Sequence, residues 1–393
     1  MDGHPAPDAL TADVAPADVE HEAVRPGTQR RVPVDPPLGM LAELTHRCPL
    51  QCAYCSNPVK LLKAAEELST QEWLSAFNQA ADLGILQVHL SGGEPTLRTD
   101  LEDFVGLLAQ RGVYTNLITA GVTLNRERIA TLAQLGLDHV QLSLQAIKPD
   151  ISDKIGHYKD SLAKKLEVAR WVREAGLPLT INAPTHRHNI RHARELIDLC
   201  IEIGADRLEI AHVQYYGWAA LNKATLMPPY EAVLEEAAIV AEAKERFKGI
   251  LNIDYVTPDH YAQFPKPCMG GWAKDVLNIT PEGKVLPCHA AESLPGLSFE
   301  TVRTRPLAEI WYDSVAFNRF RGLDWMKEPC RSCPRKEIDF GGCRCQAFAL
   351  TGDAEATDPA CSLSPDHHLM GELTGKFVAA EPPPFVYRRI GRA

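Results

Sequence analysis

The segment His46-Arg47-Cys48-Pro49-Leu50-Gln51-Cys52-Ala53-Tyr54-Cys55 carries the strongest signal for the fold and chemistry of this chain. Its three cysteines are spaced C-x3-C-x2-C, and an aromatic residue stands directly before the third. Three thiolates hold three irons of a 4Fe–4S cluster and leave the fourth iron open to a substrate, whereas a cluster with four thiolates mainly transfers electrons. A structural zinc site fits less well, because it needs four ligands and C-x2-C pairs. The spacing therefore predicts a cluster with an open iron.

The bulk composition excludes several classes of protein. The 393 residues include 51 acidic and 41 basic side chains, giving a formal net charge of −10, which argues against a nucleic-acid or anionic-membrane partner. No apolar run is long enough for a membrane span. The start of the chain lacks the basic and apolar segments of a secretory signal, so we expect residues 1–34 to be a flexible tail and the protein to be cytoplasmic. Eleven cysteines in such a chain indicate metal binding.

Strand-like and helix-like segments alternate between residues 35 and 256, which we expect to form the first domain. The pattern predicts six strand–helix units and a seventh strand near residues 250–255. Such alternation indicates an α/β fold with a parallel sheet and helices outside it. Six units fit a partial (β/α)6 TIM-like barrel better than a full eightfold barrel, and a doubly wound open sheet is the alternative. In either fold, functional groups gather at the carboxyl ends of the strands.

A second loop is expected at the same rim as the cysteine loop. The second predicted strand ends in Ser91-Gly92-Gly93-Glu94-Pro95, and glycines there allow the backbone to approach a ligand closely. The cysteine triplet followed by this loop resembles the radical S-adenosylmethionine (radical SAM) superfamily. The resemblance implies that the Gly92-Gly93-Glu94 backbone binds the SAM amino group, and that a reduced 4Fe–4S cluster on Cys48, Cys52 and Cys55 cleaves SAM to a 5′-deoxyadenosyl radical.

The resemblance also implies SAM contacts from Ser143 and Asn182, which end the fourth and fifth predicted strands, and from Tyr54. The alternative for the first two is that they are ordinary polar strand ends, and for Tyr54 that its ring packs against its own loop.

After residue 257 the chain becomes rich in Pro, Gly and Cys, which predicts a small metal-stabilised domain over 257–366 and a tail over 367–393. Its cysteine spacing resembles the SPASM domain of radical SAM peptide-modifying enzymes, with Asp339 in the register of one cysteine. The resemblance implies two auxiliary iron–sulfur clusters, one of which the tight Cys343-x-Cys345 spacing suggests is 2Fe–2S. The first would be held by Cys268, Cys288, Cys343 and Cys345, and the second by Cys330, Cys333, Asp339 and Cys361.

The late cysteines allow one alternative, and Cys200 is separate from them. Cys330 and Cys333 could form one zinc site with Cys343 and Cys345, in which case Asp339 would be a turn residue. Cys200 stands alone on an apolar helix face and is expected in the core.

The sequence 45–58, Asp339 and the Cys343-x-Cys345 pair together resemble the PqqE family. The resemblance implies a carbon–carbon cross-link between a glutamate side-chain carbon and a tyrosine ring in the peptide PqqA, an early step in the biosynthesis of pyrroloquinoline quinone. It also implies the peptide chaperone PqqD and a flavodoxin-like electron donor as partners. No residue identifies the base for the ring proton; His212, Tyr215 and Tyr216 are candidates, and packing is the simpler role for each.

The sequence is compatible with three other functions. A thioether-forming or sulfatase-maturing enzyme would use the same scaffold on another peptide. An electron-transfer module would not cleave SAM, and a zinc-stabilised binding protein would contain no iron.

Overall fold

The computed structural model describes residues 34–257, 259–261, 263–378 and 381–388. The predicted tail at residues 1–34 lies outside them except for Val34. The described residues from Val34 onward form one compact unit. Among the described residues no helix has both the length and the apolar character needed to cross a membrane.

A nine-stranded sheet organises the described residues, in the order β7-β6-β5-β4-β3-β2-β1-β8-β9. Strands β1 to β8 pair in parallel, and β9 pairs antiparallel to β8. The strands are β1 Gly39–Glu43, β2 Gln87–Ser91, β3 Tyr114–Thr119, β4 His139–Ser143, β5 Leu179–Thr185, β6 Arg207–His212, β7 Asn252–Val256, β8 Val276–Ile279 and β9 Val285–Leu286.

The strand order confirms the predicted partial α/β barrel. Strands β1 to β7 lie side by side in sequence order, as in a barrel, whereas a doubly wound sheet reverses its order at a switch point. The alternative of an open doubly wound sheet is therefore wrong. All seven carboxyl ends reach one rim, where the cysteine loop follows β1 and the glycine loop follows β2.

Helices connect the strands and cover the later part of the chain. They are α1 Thr70–Leu83, α2 Leu101–Gln110, α3 Arg126–Gln134, α4 Pro149–Gly156, α5 Ser161–Glu174, α6 Ala193–Glu202, α7 Gly217–Leu221, α8 Lys223–Leu226, α9 Tyr230–Arg246, α10 Leu307–Asp313, α11 Val315–Asn318, α12 Lys336–Asp339, α13 Arg344–Thr351 and α14 His368–Val378.

Helix α1 illustrates how local sequence sets these elements. Ser69 caps its first turn by accepting a hydrogen bond from the Glu72 amide, while the Glu72 carboxylate accepts a hydrogen bond from the Ser69 amide. Gly84 ends the helix with a φ of 95°, a conformation that side chains disfavour. Trp73 and Phe77 lie on the buried face, which packs on the outside of the sheet. Cys200 is fully buried on α6, in the core position expected of it.

The barrel interior carries a hydrogen-bonded polar belt. Asn116 of β3 contacts His89 of β2 and Gln141 of β4, and Gln141 contacts Glu209 of β6. Asn182 of β5 donates to the same Glu209 carboxylate at 2.9 Å. These hydrogen bonds join polar side chains of β2 to β6 across the interior of the barrel.

The structure differs from the sequence expectations in the second half of the chain. Strands β8 and β9 come from the cysteine-rich segment, yet β8 extends the barrel sheet by pairing with β1. The residues expected as a tail from 367 contain the eleven-residue helix α14. Residues 381–388 then pack on the barrel, where the Asn222 side chain hydrogen bonds to both the amide and the carbonyl of Val386. The tail prediction is wrong for residues 381–388, because hydrogen bonds with Asn222 and Thr225 hold them against the region after β6.

Candidate active site

Backbone hydrogen bonds fix the position of the cysteine loop at the barrel rim. The Gln51 and Ala53 amides donate to the carbonyls of Gly156 and Ile155 at the end of α4, at 2.8 and 3.0 Å. This anchoring turns Cys48, Cys52 and Cys55 toward one cavity of about 1010 Å³, including the part open to solvent. We call it the cluster cavity, and it is lined by Cys48, Leu50, Cys52, Tyr54, Cys55, Ser56, Asn57, Ser91, Gly92, Gly93, Ile118, Thr119, Ala120, Ser143, Gln145, Pro184, Ala211, His212, Val213 and Arg388.

The three cysteines suit an iron cluster chemically. Burial raises the pKa of Cys48 to about 11 and that of Cys52 to about 12, so without metal the thiols keep their protons. Iron binding replaces those protons, because the thiolate is the ligand. The residues therefore fit a cluster held by three thiolates on the wall of a cavity with room for a further ligand.

Gly92 and Gly93 pack backbone to backbone against the cysteine loop. The Gly93 amide donates to the Thr45 carbonyl at 2.5 Å, and the Glu94 amide to the Arg47 carbonyl at 2.7 Å. A Cβ atom at Gly93 would lie 2.3 Å from the Arg47 oxygen. No side chain fits this contact, so both residues must be glycine for the two loops to meet at the cavity wall.

Glu94 lies behind that wall and does not line the cavity. Its carboxylate is fully buried and accepts hydrogen bonds from the hydroxyls of Thr96 and Thr119, both at 2.6 Å, and from the Ala120 amide at 2.7 Å. Its side chain thus ties the loop after β2 to the loop after β3. The predicted SAM contact concerns the backbone of the glycine loop, and it stays a prediction.

Ser143 and Tyr54 line the cluster cavity, whereas Asn182 does not. The Asn182 amide is instead engaged with Glu209 in the interior belt. The Tyr54 hydroxyl accepts a hydrogen bond from Gln145 at 2.8 Å, and its ring stacks on His186 with centroids 6.1 Å apart. Burial lowers the pKa of His186 to about 3, so this imidazole is neutral.

Lys165 supports the floor of the same cavity, and sequence reasoning missed it. This fully buried side chain donates to the Ser143 carbonyl at 2.7 Å and to the Gln145 side-chain oxygen. Burial lowers its pKa to about 8. The available signal was a lysine on the apolar face of α5, beside Leu162 and Val168.

The four residues of the first predicted auxiliary site converge. The thiols of Cys268 and Cys345 each contact both Cys288 and Cys343, so the four form a closed ring. Cys268 lies in a short turn and Cys288 follows β9. Cys343 caps the start of α13, and Cys345 lies in its first turn. Hydrogen bonds from Cys268 and Cys345 hold the pKa of Cys343 well below its usual range. Four sulfur donors in this arrangement fit an iron–sulfur cluster.

The second predicted auxiliary site gathers around a small separate cavity. Cys330, Cys333, Asp339 and Cys361 all line it. The Asp339 carboxylate is buried and contacts the Arg335 guanidinium at 3.2 Å and the Gly341 amide at 3.1 Å. Three sulfur donors and one carboxylate fit a cluster with one oxygen ligand. The zinc alternative would place Cys343 and Cys345 beside Cys330 and Cys333, whereas in the structure they lie with Cys268 and Cys288.

Sequence reasoning also missed Arg388. Its buried guanidinium lines the cluster cavity and donates hydrogen bonds to the carbonyls of Cys48 and Leu50. A second cavity, which we call the lateral cavity, lies beside the cluster cavity and shares His212 and Val213 with it. It is lined by His212, Val213, Gln214, Tyr215, Tyr216, Lys223, Asp259, Gln346, Ala349, Leu350 and Met370.

Comparison with known proteins agrees with this geometry. The model of the radical SAM superfamily matches residues 42–200, and the model of the SPASM iron–sulfur cluster-binding domain matches residues 268–334. The SAM-bound structure of SuiB from Streptococcus suis covers 84% of this chain and 78% of its own, with a TM-score of 0.71 and 21% identity. Native anSMEcpe with bound AdoMet covers 87% of this chain and 98% of its own, with a TM-score of 0.61 and 15% identity. These likenesses show the fold, and together with the family models they define a radical SAM enzyme with a SPASM domain.

The curated relatives are more specific. The PqqA peptide cyclase of Granulibacter bethesdensis is 53% identical over 360 residues, which span 92% of this chain and 96% of the relative. That of Methylocella silvestris is 55% identical over 357 residues, spanning 90% and 96%. The chain belongs to the family of PqqA peptide cyclases.

Proposed function

We propose that this chain joins a glutamate side-chain carbon to a tyrosine ring within the peptide PqqA, in the biosynthesis of pyrroloquinoline quinone. The observation that carries the proposal is the identity of 53–55% to named PqqA peptide cyclases over nine-tenths of both chains. The solved structures that this chain resembles are only 15–21% identical and show the fold alone, so they favour neither the thioether-forming nor the sulfatase-maturing alternative.

The cluster cavity is proposed as the site of radical formation. When bound there, a 4Fe–4S cluster and SAM supply a 5′-deoxyadenosyl radical that abstracts hydrogen from the glutamate carbon. Cys48, Cys52 and Cys55 would hold the cluster. The Gly92-Gly93 backbone, Ser143 and Tyr54 would orient SAM, and the surrounding barrel would exclude water.

The two late cysteine groups are proposed to hold two auxiliary clusters. Cys268, Cys288, Cys343 and Cys345 would hold the first, and Cys330, Cys333, Asp339 and Cys361 the second. We propose that the first is 2Fe–2S, on the grounds of the single residue between Cys343 and Cys345. Formation of the cross-link removes two hydrogen atoms, one by the deoxyadenosyl radical and one as an electron and a proton. The auxiliary clusters would receive that electron.

The lateral cavity is proposed to receive the target part of the peptide. It encloses about 610 Å³, including space open to solvent, and it joins the cluster cavity at His212 and Val213. The far side of the lateral cavity borders the first auxiliary site, since the hydroxyl of Tyr216, which lines the cavity, lies 3.7 Å from the Cys343 sulfur. A peptide there would lie between the origin of the radical and an acceptor for the electron.

The partners of the reaction are proposed from the family resemblance. PqqD would present the peptide, and a flavodoxin-like protein would reduce the cluster in the cytoplasm. The peptide-bound structure of SuiB, with its precursor SuiA, is consistent with a peptide substrate on this fold.

The test is the mass of PqqA after anaerobic incubation with the iron-reconstituted protein, SAM, reductant and PqqD. We expect a loss of two hydrogens from the peptide together with 5′-deoxyadenosine. Deoxyadenosine with an unchanged peptide would contradict the proposed substrate and leave the radical SAM class intact.

A further inference from the structure

One short segment after β6 lies between the cysteine loop at the cluster cavity and the first auxiliary site. On one side, the Ala219 amide donates to the Cys55 carbonyl at 3.0 Å. Gly217 lies so close to the cysteine loop that a Cβ atom there would be 2.1 Å from the Asn57 oxygen. On the other side, the Tyr216 hydroxyl lies 3.7 Å from the Cys343 sulfur. Neighbouring residues therefore contact the loop that carries the first three cysteines and a ligand of the first auxiliary site.

Tyr216 is held in this position by its surroundings. Its ring meets His289, the neighbour of Cys288, edge to face at a centroid distance of 6.4 Å and an interplanar angle of 87°. It also lines the lateral cavity. One side chain thus borders both the proposed peptide site and the auxiliary cysteines.

The direction of the hydrogen bond follows from the chemistry of the ligand. A cysteine that binds iron is a thiolate, which can only accept, so the tyrosine hydroxyl must donate. The Gln346 amide also donates to the Cys343 sulfur, at 3.5 Å. Hydrogen bonds to cluster sulfurs stabilise the more negative, reduced form and so raise the reduction potential.

We propose that Tyr216 is a positioning residue that donates a hydrogen bond to the Cys343 thiolate and thereby makes the first auxiliary cluster a better electron acceptor. The inference rests on the proposed function. When the glutamate carbon radical adds to the tyrosine ring, a carbon–carbon bond forms and the ring becomes a radical. The ring then breaks its carbon–hydrogen bond, giving one electron to the oxidised auxiliary cluster and one proton to water.

The test is a redox titration of the holoenzyme, without peptide, followed by electron paramagnetic resonance. Tyr216→Phe keeps the ring and removes the hydroxyl. Tyr215→Phe is the matched control, because Tyr215 lines the same cavity and its described contacts do not include the auxiliary cysteines. At the wild-type midpoint, we expect Tyr216→Phe to raise the ratio of oxidised to reduced cluster about tenfold, equivalent to about 59 mV for a one-electron couple. In the same titration, Tyr215→Phe should give the wild-type midpoint potential.

Two further measurements keep the test decisive. If Tyr216→Phe loses iron, 3-fluorotyrosine at position 216 replaces it; its more acidic hydroxyl should shift the potential in the positive direction. With peptide, Tyr216→Phe should form less cross-link for each deoxyadenosine released. Equal potentials in wild type, Tyr216→Phe and Tyr215→Phe would overturn the inference. An absence of cross-linking by wild type would instead contradict the proposed function, since the titration needs no peptide.

Discussion

The Arg388 guanidinium donates a hydrogen bond at 2.8 Å to the backbone carbonyl of Cys48, which lies 340 positions earlier in the chain. A second hydrogen bond reaches the Leu50 carbonyl, and both acceptors lie in the loop that carries the three cluster cysteines. The segment that carries Arg388 is itself fastened to Asn222, which also donates to the Ala53 carbonyl at 2.9 Å. The end of the described chain therefore supports the cysteine loop.

Replacement of Arg388 by Gln should loosen the cluster. The change removes charge-assisted hydrogen bonds, each worth roughly 1.5–3 kcal/mol, and a positive charge facing an anionic cluster. We expect iron to pass from the reconstituted protein to a chelator at least about tenfold faster. Arg170→Gln is the control, because Arg170 is exposed and pairs with Glu174 one turn along α5. Equal iron release from both variants would show that Arg388 does not hold the loop.

Replacement of Gly93 by Ala should abolish SAM cleavage. The new Cβ atom would lie within 2.3 Å of the Arg47 oxygen and 2.7 Å of the His46 oxygen, so one of the two loops must move. Deoxyadenosine formation should fall at least about a hundredfold, as expected when reacting groups are misplaced by about an ångström. Gly106→Ala is the control, because it lies in α2 with nothing within 4 Å of its Cβ position. It should keep full activity and gain about 0.5–1 kcal/mol of stability.

Replacement of Lys165 by Met should weaken SAM binding. Methionine fills a similar space but leaves the Ser143 carbonyl and the Gln145 oxygen without their donor, at a cost of about 1–3 kcal/mol. We expect the Kd for SAM, measured by equilibrium dialysis, to rise about tenfold as Ser143, Gln145 and Tyr54 lose their fixed positions. Lys159→Met, at an exposed site before α5, should bind SAM as wild type does. An unchanged Kd in Lys165→Met would exclude this supporting role.

Replacement of Asp339 distinguishes whether this residue binds iron or only forms a turn. If the carboxylate binds iron, Asp339→Ala should lower the iron content of the second auxiliary site, while Asp339→Cys should restore it with a changed electron paramagnetic resonance spectrum. A turn residue would give full iron content in both variants. Glu337→Ala, on the exposed side of the same short helix, is the control and should resemble wild type.

Much of the barrel was predictable because its signals are local. The capping box at Ser69 and Glu72 lies within one helical turn, and the alternation of strands and helices follows from side-chain periodicity. The parallel β1 to β7 arrangement then needs only short connections between neighbours. Strand β8 was missed because its four residues have little periodicity, and its partner β1 lies more than two hundred positions earlier.

The candidate site likewise combines features that local sequence predicts with features that depend on contacts between distant residues. The spacing of Cys48, Cys52 and Cys55 was readable because all three residues lie within one short loop. The Gly92-Gly93-Glu94 backbone was predicted to contact SAM, and this stays a prediction, whereas the hydrogen bonds of the Glu94 carboxylate between the loops after β2 and β3 were not predicted. Such a contact depends on the separation of two strand ends, which no local pattern records.

By itself, the sequence determined the class of the protein, its order of strands and helices, and the cysteines and aspartate suited to bind iron, because residue type and short spacing decide what a loop can ligate. The tertiary structure alone decided which late cysteines face one another, that Lys165 lies under the cluster cavity, that Arg388 supports the cysteine loop, and that Tyr216 meets Cys343. The physical reason is that these contacts join residues far apart in the chain, and their distances are set only when the whole sheet and the cysteine-rich segment pack together.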